Sequence, residues 1–218
     1  MRLNAALASR LGISRRLADK YIYDGLVVVN GAIGSIGQQI NEDDDLSLNG
    51  KPVPKSKPFI TILLNKPVGL VCSRSQQGES QTVYSLLPPK FHELKIAGRL
   101  DKDSSGLLVL SNNGQLIYKL THPSAQKEKV YRVILDKALD NISKHKIEDG
   151  VLLDDGPSIL QLNGSGIEWI VKMKEGRNRQ IRRTFHKLGY EVENLHRTKI
   201  GQFELNDHLT SGKFTIVK

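Results

Sequence analysis

Two aspartates lie close together in the segment "GRLDKDSSGLLVL", just before an apolar run that predicts a β-strand. Asp101 directly follows Arg99 and Leu100, whereas Asp103 lies among Lys102 and two serines in a predicted exposed turn. Asp101 is therefore the better candidate for a buried, catalytic carboxylate. Considered alone, it also fits an ordinary loop or capping carboxylate.

A basic segment farther along the chain, "RNRQIRRTFHKLG", offers cations for such a carboxylate. Projected as a helix at about 100° per residue, it has a basic side and an apolar side. Arg182 lies at the edge of the basic side nearest Phe185, so we expect its guanidinium to be semi-buried. Arg179 and Arg183 are expected to point toward solvent or phosphate. A buried arginine needs a carboxylate partner, and Asp101 is the expected one.

The segments around these residues predict an α+β domain dominated by a sheet. Strand patterns occur in "FITILLNKPVGLVCS", which has two apolar runs around a turn, in "KVYRVIL" and in "IEWIVKMKEG". The alternation in "KVYRVIL" places Tyr131, Val133 and Leu135 on one face, where core packing is their ordinary role. Helical patterns are fewer: "QLIYKL", "LDNISKHKIEDG" and the basic segment.

Residues 1–50 predict a small, separate module of mixed structure. Leucines at every fourth position predict a helix that Gly12 ends, and Ser14 is placed to cap a second helix. A hairpin around Asn30-Gly31 and one more short strand follow. The next residues are rich in proline and lysine, so we interpret residues 51–58 as a linker.

The chain of 218 residues has a formal net charge of +9, which favours a polyanionic partner, nucleic acid rather than an anionic membrane. Cys72 is the only cysteine, which excludes an intramolecular disulfide, and the N-terminus lacks a long apolar stretch. We therefore expect a cytoplasmic protein. The six histidines show no close metal-ligand pairing and no phosphate-loop motif occurs, so neither a metal nor a cofactor is expected.

The order of motifs "LNKPVG", "GRLDKDSSGLLVLSNNG", "KVYRV", "EGRNRQIRR" and "ENLHR" resembles the rRNA pseudouridine synthases that modify single uridines. The N-terminal helix pair, its Ser-Arg-Arg start and the "VVVNG" hairpin resemble the alpha-L RNA-binding module. The resemblance implies an α+β protein with an alpha-L module (1–50), a linker (51–58) and a mixed, mainly antiparallel-sheet catalytic domain (59–218). Thr184 departs from the family pattern, where a methionine is common.

The resemblance also implies roles for individual residues. Asp101 matches the catalytic aspartate, which acts as a nucleophile or a base while uracil is detached, rotated and rejoined through carbon-5. Arg182 matches the arginine that pairs with it, and Tyr131 matches the aromatic residue that stacks on the flipped base. Leu195 matches an apolar residue across the pocket, and Arg99 either orients the aspartate or contacts phosphate. Lys66-Pro67 is interpreted as a structural turn that braces the catalytic loop.

The expected partner is ribosomal RNA or a ribosome-assembly intermediate, bound by a monomer, with no membrane. Phosphate contacts are assigned to basic residues of both parts of the chain: Arg10, Arg15, Arg16, Lys20, Arg177, Arg179 and Arg183. A solvated helix face is the ordinary interpretation of the first four. We also expect a basic cleft where Lys127, Lys129 and Arg132 surround Tyr131. The "THPS" and "RNRQIRR" stretches favour large-subunit RNA, with small-subunit RNA and a non-catalytic rRNA-binding protein as the alternatives.

Overall fold

The computed structural model describes residues 1–55, 58–75 and 78–217. The chain divides into two compact units, Met1–Phe59 and Ile60–Lys218, which are called the N-terminal and the C-terminal unit below. Residues 56 and 57 of the predicted linker lie outside the described residues.

The N-terminal unit contains two short helices and a small antiparallel sheet. Its elements are α1 (Leu3–Leu11), α2 (Arg15–Tyr23), β1 (Val27–Val29), β2 (Ala32–Ile33), β3 (Leu46–Leu48) and β4 (Lys51–Pro52), and the strand order is β2-β1-β3-β4. Gly12 ends α1 with a φ of 72°, and the Ser14 hydroxyl accepts a hydrogen bond from the Leu17 amide at the start of α2. Both helix boundaries therefore follow the sequence signals.

The predicted linker is only partly a linker. Lys51 and Pro52 pair with β3, and the side chain of Val53 is buried in the core of the N-terminal unit. Burying the apolar side chain of Val53 stabilises the folded unit relative to leaving it in water. The folded unit therefore extends beyond residue 50.

The C-terminal unit is built on one large sheet with helices beside it. Its helices are α3 (Gly114–Thr121), α4 (Asn141–Asp149) and α5 (Gln180–Lys187), and 3₁₀ turns cover Val83–Leu86, Pro89–Phe91 and Pro123–Ala125. Its strands are β5 (Thr61–Lys66), β6 (Lys95–Ala97), β7 (Ser105–Ser111), β8 (Lys129–Leu135), β9 (Val151–Leu153), β10 (Gly156–Ser158), β11 (Gln161–Ser165), β12 (Glu168–Met173), β13 (Val192–Ile200), β14 (Phe203–Glu204) and β15 (Phe214–Val217).

The described residues of this unit form a nine-stranded sheet with the order β11-β12-β8-β13-β7-β5-β15, while β14 pairs with β13 and β6 with β7. Its pairs are antiparallel except for β13 beside β7. Gly106 permits this parallel contact: its φ is +103°, and a Cβ there would lie 2.3 Å from the Arg197 carbonyl oxygen. The predicted α+β class with a mixed, mainly antiparallel sheet is confirmed.

One predicted strand region is different. The first apolar run of "FITILLNKPVGLVCS" forms β5, but Asn65 and Lys66 still belong to that strand, and the second run makes only an isolated bridge between Val71 and Thr82. Gly69, with a φ of +91°, turns the chain so that its amide donates to the Lys102 carbonyl. In the part of the chain that the structure describes, no helix is long and apolar enough to cross a membrane.

Candidate active site

A cavity of about 220 Å³ opens in the C-terminal unit between the sheet, the start of α5 and the loop that carries Asp101. Residues 98–104, which join β6 to β7, are called the aspartate loop. The cavity is lined by this loop and by residues from β8, β12, β13, α3 and α5: Gly98, Arg99, Leu100, Asp101, Ser104, Leu120, Thr121, Lys129, Tyr131, Met173, Gly176, Arg177, Asn178, Arg179, Gln180, Ile181, Leu195 and Arg197. Its wall therefore combines apolar side chains with several cations around a carboxylate.

Lys66 anchors the second half of the aspartate loop. Its side chain is fully buried, and its ammonium donates hydrogen bonds to the carbonyls of Pro67 (3.0 Å), Asp101 (3.0 Å) and Ser104 (2.6 Å). Burial lowers the pKa of Lys66, while Cys72 and the two aspartates oppose that shift. These contacts confirm that Lys66 braces the loop, although Lys66 is the last residue of β5 and not part of a turn.

Arg197 anchors the first half of the same loop and was missed in the sequence. This buried arginine on β13 donates from Nε to the Leu107 carbonyl (2.9 Å) and from Nη2 to the Gly98 carbonyl (2.9 Å). Arg197 shares a strand face with Leu195, two residues earlier, and both line the cavity. Because Leu195 was predicted to line the pocket, Arg197, two residues later on the same strand face, could have been predicted to lie there as well.

The cations near Asp101 are arranged differently from the expectation. Arg182 does not pair with Asp101: its Nε lies 3.3 Å from Asp103 Oδ2, and its Nη atoms donate to the carbonyls of Asp103 (2.9 Å) and Val192 (2.5 Å). Its side chain is 13% exposed, so the helical projection located a semi-buried guanidinium but the wrong carboxylate. Arg179 Nη1 lies 3.9 Å from Asp101 Oδ2 and 2.9 Å from Asp103 Oδ2.

Asp101 is also less buried than predicted. Its side chain is 37% exposed, against 46% for Asp103, because the carboxylate faces the open cavity while its backbone carbonyl takes the buried contact with Lys66. The backbone of Asp101 is fixed, while its carboxylate makes only a long contact with Arg179 and stays accessible to a substrate. Arg99 lines the same cavity.

Tyr131 and Leu195 form apolar parts of the wall. They lie on neighbouring strands, β8 and β13, and both are buried in the core cluster next to the cavity. Lys129 is on the same face of β8 as Tyr131, and burial, followed by the charge of Arg197, lowers its pKa. Arg132 is on the opposite face, so the predicted basic cleft around Tyr131 includes Lys129 but not Arg132.

Two of the predicted RNA-binding arginines are engaged inside the protein. Arg177 donates to Asp155, Gly156, Pro157 and Glu175, while Arg183 makes a two-pronged pair with Asp155 at 3.1 and 2.8 Å. These contacts hold the β9–β10 hairpin against the start of α5. The prediction that Arg177 binds phosphate is therefore wrong, because both of its Nη atoms already donate hydrogen bonds within the protein.

Beneath the same hairpin, Thr184 is buried and its hydroxyl bonds to Ser158 Oγ (2.8 Å) and to the Gln180 carbonyl (2.8 Å). The polar group of the threonine that departs from the family pattern is therefore satisfied within the buried site.

The four predicted RNA-binding residues of the N-terminal unit also fall into two groups, one bonded within the protein and the other exposed. Arg10 is buried and donates to the carbonyls of Glu42 (2.8 Å) and Asp44 (3.1 Å), so it holds the unit together and does not point to a ligand. Arg15, Arg16 and Lys20 are exposed at and after the start of α2. Of the four N-terminal candidates, these three remain available for phosphate contacts.

Among the described residues, no group of three or more histidine, cysteine, aspartate or glutamate side chains is arranged to hold a metal ion.

Comparison with known proteins gives matches across the chain. The family model described as RNA pseudouridylate synthase matches residues 60–187. "Ribosomal small subunit pseudouridine synthase A" of Pasteurella multocida (strain Pm70) is 34% identical over 222 residues, which cover 98% of this chain and 94% of the relative. "Ribosomal large subunit pseudouridine synthase B" of Xanthomonas axonopodis pv. citri (strain 306) is 35% identical over 97% of this chain but only 41% of its own length.

A solved structure described as a crystal structure of pseudouridylate synthase superposes with a TM-score of 0.72 and 30% sequence identity. It covers 100% of this chain and 96% of that chain.

Proposed function

The chain belongs to the RNA pseudouridylate synthase family, and from that premise we propose that it isomerises a uridine of ribosomal RNA to pseudouridine with Asp101 as the nucleophile. The observation that carries the proposal is the position of Asp101: its carboxylate faces a cavity of about 220 Å³ with apolar and cationic walls, on a loop anchored by two buried cations. A base of uracil size fits such a cavity.

The reaction breaks the bond between N1 of uracil and C1′ of the ribose and forms a bond between C5 and C1′; C5 loses its proton and N1 gains one, so the overall change is an isomerisation. Asp101 attacks either C1′ or the ring, and in both routes it must be ionised and close to the substrate. The guanidinium of Arg179 lies 3.9 Å from Asp101 Oδ2, close enough to position the carboxylate for attack. Tyr131 and Leu195 hold the detached base against the aspartate while it rotates.

A uracil stacked in a helix is inaccessible to a carboxylate, so the target nucleotide must be flipped into the cavity. Unstacking costs a few kcal/mol, which phosphate contacts offset. Arg99, Lys129 and Arg179 line the cavity and are suited to these contacts. The proposal of base flipping is supported by the position of Asp101 in the wall of a cavity that is also lined by these cations.

We propose small-subunit rRNA as the substrate, a change from the large-subunit preference of the sequence motifs. The relative that acts on the small subunit by its name matches over 94% of its length, whereas the large-subunit relative matches over 41%. Mapping pseudouridines in both rRNAs from cells with and without the protein tests this choice. Loss of a modified site in large-subunit RNA alone would contradict it.

The N-terminal unit is proposed to be the alpha-L RNA-binding module, acting through Arg15, Arg16 and Lys20. The protein is proposed to act in the cytoplasm as a monomer, on free rRNA or on a ribosome-assembly intermediate. The role of the module is supported by the exposed basic start of α2, where the amides of Arg15 and Arg16 precede the Leu17 amide that Ser14 caps.

The decisive experiment is single-turnover pseudouridine formation on rRNA with the wild type and with Asp101→Asn. The variant should form no pseudouridine and should bind RNA within about threefold of the wild type, because the substitution removes the nucleophile but no phosphate contact. Asp103→Asn is the matched control, since it changes a neighbouring carboxylate that faces Arg182, and it should retain measurable turnover. Turnover by Asp101→Asn would exclude the mechanism, and an inactive wild type would favour a non-catalytic RNA-binding protein.

A further inference from the structure

An exposed aromatic pair on α3 is not used by the chemistry described above. The rings of Tyr118 and His122 are stacked, with centroids 4.4 Å apart and an angle of 28° between their planes. Tyr118 is 55% exposed, and His122 is exposed as well. Exposed aromatic rings that pack only on each other leave a large ring surface for another planar group.

The pair lies beside the rim of the cavity. Thr121 lines the cavity and follows Tyr118 by three residues, so on a helix of 100° per residue the two side chains are neighbours on one side. Leu120, which also lines the cavity, contributes to the core on the other side of α3. A strand of RNA with one nucleotide in the cavity therefore passes within reach of the aromatic pair.

The histidine ring is held in place before any ligand binds. His122 Nδ1 accepts a hydrogen bond from the Ser124 amide (3.2 Å) and is bonded to the Ser124 hydroxyl (2.7 Å). Since Nδ1 accepts, the neutral ring carries its proton on Nε2. A ring fixed in this way loses little rotational freedom when a base stacks on the pair.

The charges around the pair suit a nucleic acid. Lys119 follows Tyr118 directly on α3 and is exposed, and the exposed Lys127 lies beside the cavity-lining Leu120, since both would contact a Cβ placed at Gly201. The combination of cations with exposed aromatic rings is the arrangement by which proteins bind single-stranded RNA.

We propose that the Tyr118–His122 pair is a stacking site for an unpaired base of the substrate RNA next to the flipped uridine. This inference rests on the proposed function, because the occupant is a base of the same strand. The site contributes binding energy that offsets the unstacking of the target, and it acts on binding rather than on the chemical step.

The test compares the wild type with Tyr118→Ala, Tyr118→Phe and Ile142→Ala. Ile142 is an exposed apolar residue on α4 and serves as the matched control. In single-turnover reactions on rRNA, Tyr118→Ala should raise the enzyme concentration for half-maximal rate about five- to twentyfold, with the maximal rate unchanged within about twofold. Tyr118→Phe and Ile142→Ala should stay within about twofold of the wild type.

An RNA with an abasic nucleotide beside the target identifies the stacked base. At one flanking position, Tyr118→Ala and the abasic nucleotide should each lower the affinity for RNA. The affinity loss of the two changes together should then be no larger than that of either change alone. Additive losses at every flanking position, or equal defects in Tyr118→Phe and Tyr118→Ala, would overturn the proposal.

A binding measurement separates this proposal from the proposed function. Equilibrium binding of a single-stranded adenylate decamer should weaken about five- to twentyfold in Tyr118→Ala, whether or not the wild type forms pseudouridine. Equal binding by wild type and variant would exclude the stacking site while leaving the enzyme assignment intact. An inactive wild type with the expected binding defect would exclude the reaction while retaining the site.

Discussion

At the scale of residues, the site depends on how two arginines of one helix are shared between two aspartates. Arg182 is semi-buried and makes its contacts with Asp103 and with the Val192 carbonyl, whereas Arg179, 44% exposed, lies between Asp103 and Asp101. The two guanidinium groups therefore have different structural roles. Arg182 ties the aspartate loop to β13, and Arg179 supplies the positive charge nearest to Asp101.

This division predicts different defects for the two alanine variants. Arg182→Ala should lower the free energy of unfolding by about 1–3 kcal/mol, because the part-buried Val192 carbonyl loses its charged donor and Asp103 loses its partner. Arg179→Ala should stay within about 0.5 kcal/mol of the wild type but should slow pseudouridine formation and reduce the salt dependence of RNA binding. Urea denaturation and single-turnover rates at several salt concentrations provide the readouts.

The exposed Lys146→Ala on α4 is the control for a generic loss of one cation, and it should leave stability and turnover near the wild-type values. Stability losses of the same size in Arg179→Ala and Arg182→Ala would contradict the division.

At the scale of elements, the aspartate loop is held by cations from two strands on its two sides. Lys66 at the end of β5 and Arg197 on β13 together bind carbonyls of residues 98, 101 and 104. Such contacts fix the loop backbone and leave the Asp101 carboxylate free for chemistry. Charge-assisted bonds to carbonyls are stronger than neutral ones, which suits a loop that must not move during catalysis.

Lys66→Met should therefore destabilise the protein by about 2–4 kcal/mol, since it leaves three carbonyls without their donor in a buried place. Turnover at saturating RNA should fall more than RNA affinity does, because the variant displaces Asp101, the proposed nucleophile, and touches no proposed phosphate contact. The exposed Lys95→Met on β6 is the matched control. Full turnover by a folded Lys66→Met protein would show that the anchor is dispensable.

A second element-scale prediction concerns acid stability. Asp140 caps α4, and bonds from the Tyr190 hydroxyl and from Ser143 lower its pKa to about 2 from an ordinary 3.8. Since the folded-state pKa is the lower one, the unfolded chain takes up the proton first, so the stabilisation is complete above about pH 4 and disappears as the pH falls toward 2.

Asp140→Asn keeps the capping oxygen but removes the charge. Thermal unfolding midpoints of wild type and variant should differ most near neutral pH and converge below about pH 3. A difference that stays constant down to pH 2 would exclude the ionised carboxylate as its source.

At the scale of the whole molecule, the candidate chemistry and the module proposed to bind RNA belong to different compact units. Every residue that lines the cavity is in the C-terminal unit, and each unit has its own buried apolar cluster. A unit with its own core is expected to fold on its own.

Deleting residues 1–58 should therefore leave a folded catalytic unit. The proposed module raises the local concentration of the catalytic unit near its target, so the truncated enzyme should lose affinity for rRNA but keep most of its maximal rate. Circular dichroism checks folding, and single-turnover kinetics over a range of RNA concentrations separates affinity from rate. A folded truncation that has lost the saturating rate would show that the N-terminal unit helps to assemble the reactive complex.

The sequence by itself determined most of the elements and the family to which the chain belongs. Helix ends at Gly12 and Ser14, the strand "KVYRVIL" and the amphipathic segment around Arg182 follow from local periodicity and capping, which depend on neighbouring residues. The motif order around Asp101 was sufficient to identify the family.

Only the tertiary structure decided which charged groups meet. Arg182 binds Asp103 because the backbone of the aspartate loop follows the path set by Lys66 and Arg197, and residues 66, 103, 182 and 197 are far apart in sequence. Arg10 and Arg177 look like free cations in the sequence, yet their guanidinium groups are consumed by carbonyls of distant turns. The energy of a charged side chain depends on burial and on the partners within a few ångströms, and neither is encoded by its immediate neighbours.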